Sequence, residues 1–217
     1  MPAVQKDVYS EFSHYLAKAL VAAFDKRKAT NPSLTDAIAL LRGWNGQMEH
    51  SQPAPLLVTL AYQHFRRVVV ESATKADSTY DSQMAPAVLE RLLRERPAGW
   101  FKDWDETLVR SLADAVEEGR RMQGRNVKKW NYGQYTELKI TNPVVHSLPL
   151  VGTYFDVGPA PMSGSSTTVK QTTRRERCRS AKAGWATCPW TERPEISSGR
   201  DSFRSTSCPR LSTRLPA

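Results

Sequence analysis

Apolar residues recur at intervals of three and four from near the start of the chain, the spacing that gathers them on one helix face. Residues 7–29 carry Val8, Phe12, Tyr15, Leu16, Ala19 and Ala23 in this register, which predicts a first helix. Asn31-Pro32 then breaks the chain. Ser33 and Asp36 form a capping-box-like start, with Asp in place of the usual Glu, for a short helix through Leu41. Gly43, Gly46 and Pro53 mark a turn around Trp44. A longer helix is predicted from about Pro55 to Thr74, apolar on a broad face and basic at Arg66 and Arg67. Another runs through 84–96 and stops at Pro97. The last covers 105–124, acidic at its start, with Arg120 and Arg121 at its end, an order that suits the helix dipole. Gly124 is its expected C-terminal stop.

Beyond this point the period changes. Residues 128–140 alternate, which predicts a strand with Tyr135, Glu137 and Lys139 on one side. A proline-punctuated run follows, with turns expected at Gly158-Pro159 and Ser163-Gly164-Ser165 and a final strand around 167–172. Four helices, the short one apart, are thus followed by short strands. The fold class is α+β, with too few strands to close a sheet of their own.

At Arg174 the texture changes again. Arg, Ser and Pro supply 9, 7 and 4 of the remaining 44 residues, Val and Tyr are missing, and no periodicity survives. Such a segment buries too little apolar surface to offset its ordering entropy, so residues 174–217 are expected to form a disordered basic tail. Residues 1–173 then form the structured domain.

Charge follows the same boundary. The 217 residues hold 31 Lys+Arg against 22 Asp+Glu, a net of +9, of which the tail supplies +6. The 40% apolar content excludes a membrane protein, a collagen-like repeat and a wholly disordered chain. A basic nucleic-acid-binding protein that uses the Arg-rich tail as an electrostatic arm is the alternative function. Against it, the first 173 residues contain no RNP aromatic pattern, KH loop, zinc finger or basic helix. Cys178, Cys188 and Cys208 form no CxxC pair, and His14, His50, His64 and His146 are scattered, so no metal site is expected. Lys6, Asp7 and Glu11 sit where a secretory signal would need its apolar core, and no run approaches the roughly 18 apolar residues of a membrane span. The chain is therefore read as soluble, with no address and no membrane partner.

Two stretches carry a resemblance. LLRGWNGQMEHSQPAPLLVTLAYQHF is similar to a late β-chain region of penicillin acylases, where a Trp-Asp-Gly turn precedes a small-residue run that opens a helix. Here the turn is Trp44-Asn45-Gly46 and the run is Ser51-Gln52-Pro53-Ala54-Pro55. The second stretch, WNYGQYTELKITNPVVHSLPLVGTYFDVGPAPMSGSSTTVKQ, resembles the same family more sharply. It matches at Trp130, Gly133, Asn142, Pro143, Pro149, Gly158, Pro159, Pro161, Gly164, Thr168 and Val169, although Asn142 stands where the family often has His. The resemblance covers residues 10–173.

It implies a piece of a four-layer αββα sandwich, the fold of N-terminal nucleophile hydrolases, which cleave linear amides such as a penicillin side chain or an acyl-homoserine lactone. In such enzymes the β-chain's N-terminal Ser uses its own α-amino group as base, and an Asn with backbone N–H groups holds the oxyanion. The matched part lies well after that nucleophile, so the resemblance carries over no catalytic, cofactor-binding or metal residue to this chain. The implied structural calcium of the family would lie outside this stretch. The implied partners are the α-chain, the first part of the β-chain and a small amide substrate, and the parent family is periplasmic or secreted. As a fragment, the four helices are expected to expose apolar faces that the rest of the sandwich would cover. The family's later Gly, Asp, Asn-Leu and Gly-Gln order is absent from the tail as written. Reading each codon's third base as a new first base forces a Gly across Trp185-Ala186 and an Asp across Trp190-Thr191, and permits the rest. A frame slip near Arg174 is the reading this suggests.

Other residues have plainer roles. His146 reads as a surface or capping histidine, since no Ser or carboxylate stands at a motif spacing from it. Asp103, Asp105 and Glu106, beside Trp100 and Trp104, look like paired carboxylates but are expected to open a helix. Arg66-Arg67 and Arg120-Arg121 read as helix-face charges. Pro2, as a secondary amine, has nothing around it in sequence to make it a catalyst. Trp44 is expected to anchor its turn in the core.

Overall fold

The computed structural model describes residues 2–27, 32–74, 84–140 and 157–171. The helices are α1 Pro2–Gln5, α2 Glu11–Arg27, α3 Pro32–Arg42, α4 Ala54–Thr74, α5 Pro86–Glu95, α6 Trp104–Gln123 and α7 Tyr132–Tyr135. Strands β1 Glu137–Ile140 and β2 Val157–Pro161 pair antiparallel as a two-stranded sheet. The fold is α+β and mostly helical, as the hydrophobic spacing predicts.

Helix α4 lies at the centre, packed along α6, with α2 against both. Its first turns are buried on all sides through Ala54, Pro55, Leu56, Leu57 and Val58, which is how an internal helix reads. Leu16 and Leu20 from α2, Leu56, Leu57 and Leu60 from α4, and Leu108 and Leu112 from α6 are all within 1% of complete burial. The helices therefore cover one another. The expected open apolar faces are not there: among the described residues, the large exposed apolar side chains on helices are Val4, Val88 and Met122.

Helix α2 starts at Glu11 rather than residue 7. Asp7 accepts the Tyr9 N–H at 2.9 Å and Ser10 Oγ accepts the Ser13 N–H at 3.2 Å. The Asp7 bond competes with helical ones while the Ser10 bond caps the start of α2, so residues 7–10 stay outside the helix. That run bonds to a neighbour through Ser10 N–H to Gly46 O and Met48 N–H to Val8 O, and Asp7 O accepts from Lys170 N–H. Helix α3 begins at Pro32, one residue before the expected Ser33 cap. Proline fits a first helical turn, where its missing N–H is not needed. Asp36 pairs instead with Lys128 at 3.2 Å. Helix α6 keeps its expected ends: Asp103 accepts from the N–H groups of Asp105 and Glu106, and the Gly124 N–H closes on Arg120 O.

The strand readings need correction. Only residues 137–140 of the alternating stretch are extended; Val127–Lys129 is a 3-10 turn and Tyr132–Tyr135 is helical. Asn126 and Asn131 explain this, because each side chain accepts a backbone N–H two residues on and starts a turn. Gly158-Pro159 sits inside β2 rather than at a turn. Proline is tolerated there because β2 has one partner and its other edge makes no ladder bond among the described residues. The stretch expected as a strand around 167–172 is a turn as far as Lys170, with one bridge from Gln171 to Ser165. His146 and the tail lie outside the described residues.

Candidate functional site

The densest chemistry among the described residues gathers where the 48–50 segment meets the turn after β2. His50 N–H bonds to Ser163 Oγ at 3.0 Å, His50 Nδ1 lies 2.9 Å from the same oxygen, and Ser163 donates to Glu49 Oε2 at 3.1 Å. Serine, imidazole and carboxylate are the ingredients of a nucleophilic triad. Their order is wrong for one. A carboxylate only accepts, so the single Ser163 hydroxyl hydrogen goes to Glu49 and His50 must donate from Nδ1. The imidazole donates a hydrogen bond to Ser163 instead of accepting one, as a general base would.

The surroundings agree. Ser163 is buried at 7% exposure. The neighbouring N–H groups that could hold an oxyanion are already used: Gly164 N–H bonds to Met48 O at 2.8 Å, and Ser165 N–H to Thr168 Oγ1 at 2.8 Å. These two donors are therefore not available to a developing negative charge, the stabilisation that acyl transfer needs. The cluster is a clamp that ties the 163–165 turn to the 48–50 segment. Gly133 N–H also bonds to His50 O at 2.7 Å, which brings α7 into the same tie.

A chain of hydroxyls continues beside it. Ser10 Oγ donates to Ser13 Oγ at 2.8 Å and lies 2.7 Å from Thr167 Oγ1, which lies 3.0 Å from Ser165 Oγ. Each hydroxyl has one hydrogen, so the direction is fixed: Ser165 donates to Thr167, Thr167 to Ser10, and Ser10 to Ser13. The start of α2 is thereby joined to the 165–168 turn.

The acids flagged in the sequence are all in ion pairs. Arg27 bonds to Asp103 and lies 3.4 Å from Glu106. Asp105 accepts from Lys26 at 3.1 Å and Arg96 at 2.8 Å. Burial pushes the Asp105 carboxyl up, but the hydrogen bonds from Lys26 and Arg96 outweigh it and hold it below the ordinary value. Of the helix-face arginines, Arg66 stacks over the Tyr62 ring and Arg121 pairs with Glu117. Pro2 opens α1. Trp44 is 7% exposed and donates its indole N–H to Gln47 O, so it anchors the turn as expected. Burial pushes the Tyr132 phenol up to about 12, with its hydroxyl bonded to Gly164 O, so it cannot serve as a base near neutrality. His64 bonds to Glu118 at 2.7 Å across the α4–α6 contact.

No group of three or more His, Cys, Asp or Glu is placed to hold a metal among the described residues, and no described helix is long and apolar enough to cross a membrane. A cleft lined by Met122, Gln123, Gln134 and Tyr135 has a volume of about 100 Å³. Small-molecule sites run to roughly 300–1,000 Å³.

The family model for penicillin amidase matches residues 1–197. The chain belongs to the penicillin amidase family. At the level of the family it is therefore an acylase-type hydrolase. No curated protein matches it significantly. The match runs past the change of texture at Arg174.

Several of the positions that carry the penicillin amidase resemblance have physical tasks here. The Trp130 indole is 1% exposed, seated on Gly119 of α6, and donates to Gly124 O at 2.9 Å. Gly133 lets Pro161 approach, since a β-carbon there would meet the proline at 2.6 Å. Gly164 takes φ +107°, closed to most side chains, and lies against Lys170 O. Thr168 Oγ1 accepts from Ser165 N–H and donates to Lys170 O at 2.6 Å. Val169, by contrast, is 61% exposed. Trp130, Gly133, Gly164 and Thr168 build joints between helices, sheet and turn, while Asn142, Pro143 and Pro149 lie outside the described residues. Glu49, His50 and Ser163, the residues with the most reactive groups, have no sequence signal: 113 residues separate the imidazole from its serine.

Proposed function

We propose that this chain supplies late scaffold to a hydrolase of linear amide C–N bonds, of the penicillin side-chain or acyl-homoserine lactone type. Water adds across the amide, and the products are a carboxylic acid and an amine. In this reading the nucleophilic Ser, with its α-amino base, and the oxyanion Asn come from outside these 217 residues. An α-chain and the first part of a β-chain complete an αββα sandwich around the helices and the β1–β2 ribbon. A structural calcium, where present, is held by that other part.

Family membership supports the reaction class. The observation that carries the scaffold role is the polarity of the Ser163 cluster, whose hydroxyl hydrogen is directed to Glu49 while the neighbouring N–H donors are already bonded. The purified chain should give no turnover of penicillin G, a cephalosporin or an acyl-homoserine lactone above buffer. Co-expression with an α-chain and early β-chain should restore it. Turnover by the chain alone that disappears in Ser163→Ala would overturn the reading.

A further inference from the structure

We draw no further inference here: the strongest candidate, the outward face of the β1–β2 ribbon with exposed Leu138 and Ile140, is an apolar surface for which nothing in the structure shows what covers it.

Discussion

Trp130 reaches almost complete burial because Gly119 has no side chain to hold the indole away from α6. A β-carbon at Gly119 would overlap the ring, so Gly119→Ala forces the indole or the helix to shift. The expected cost is about 1–3 kcal/mol, the usual range for overpacking. Gly43 has no atom near its hypothetical β-carbon, and Gly43→Ala should stay within about 0.5 kcal/mol of the parent. Urea unfolding followed by tryptophan fluorescence compares the two; equal midpoints would refute the contact. Ser10→Ala removes both the cap of α2 and the link to Thr167, at a cost of about 0.5–2 kcal/mol in the same assay. At this scale the sequence is half readable. Trp130 and Gly133 stand out through the family resemblance. Gly119 does not, because nothing in a helical pattern marks a glycine as the seat of a ring eleven residues on.

Helices were legible because burial repeats at their own period. The α4 and α6 boundaries fall within one residue of the spacing's prediction. Strands were not, because short side chains such as Asn126 and Asn131 turn the backbone locally, and alternation over a few residues also fits a helical turn. The junction of α2, α5 and α6 adds an electrostatic test. Asp105 is held by Lys26 from α2 and by Arg96 just past α5, and its carboxyl lies below the ordinary value. A carboxyl lowered on folding stabilises the native state at pH values above its unfolded value. That contribution is lost as pH falls through the lower, folded value. Asp105→Asn should therefore lower stability at pH 7, by up to about 1 kcal/mol because the partner cations Lys26 and Arg96 are partly exposed and screened. The gap between parent and variant should persist down to the ordinary carboxylate range and close only below it. Chemical denaturation at pH 7, 5 and 3 reads this directly, and a gap already closed at pH 5 would show that the pairs contribute little.

For the whole molecule the open matter is where the folding unit ends. Composition puts a boundary at Arg174, whereas the penicillin amidase match continues to residue 197. Among the described residues, the buried core runs from Val8 to Tyr135. Within these same residues, the Ser163 clamp, the Thr167 link to Ser10 and the Lys170 N–H bond to Asp7 O tie the 163–170 stretch to it. A cooperative transition depends on this shared core, and a basic, Ser- and Pro-rich tail has little apolar surface to add to it. A chain ending at residue 173 should accordingly melt with a single transition within a few degrees of the full 217 residues. The tail's net +6 should appear only as weak, salt-sensitive binding to polyanions, lost on truncation. Circular dichroism melts of the two chains, each at the same salt, decide the point. Should truncation at 173 abolish the transition while truncation at 197 preserves it, residues 174–197 belong to the fold, and the frame-slip account of the tail fails with the composition argument behind it.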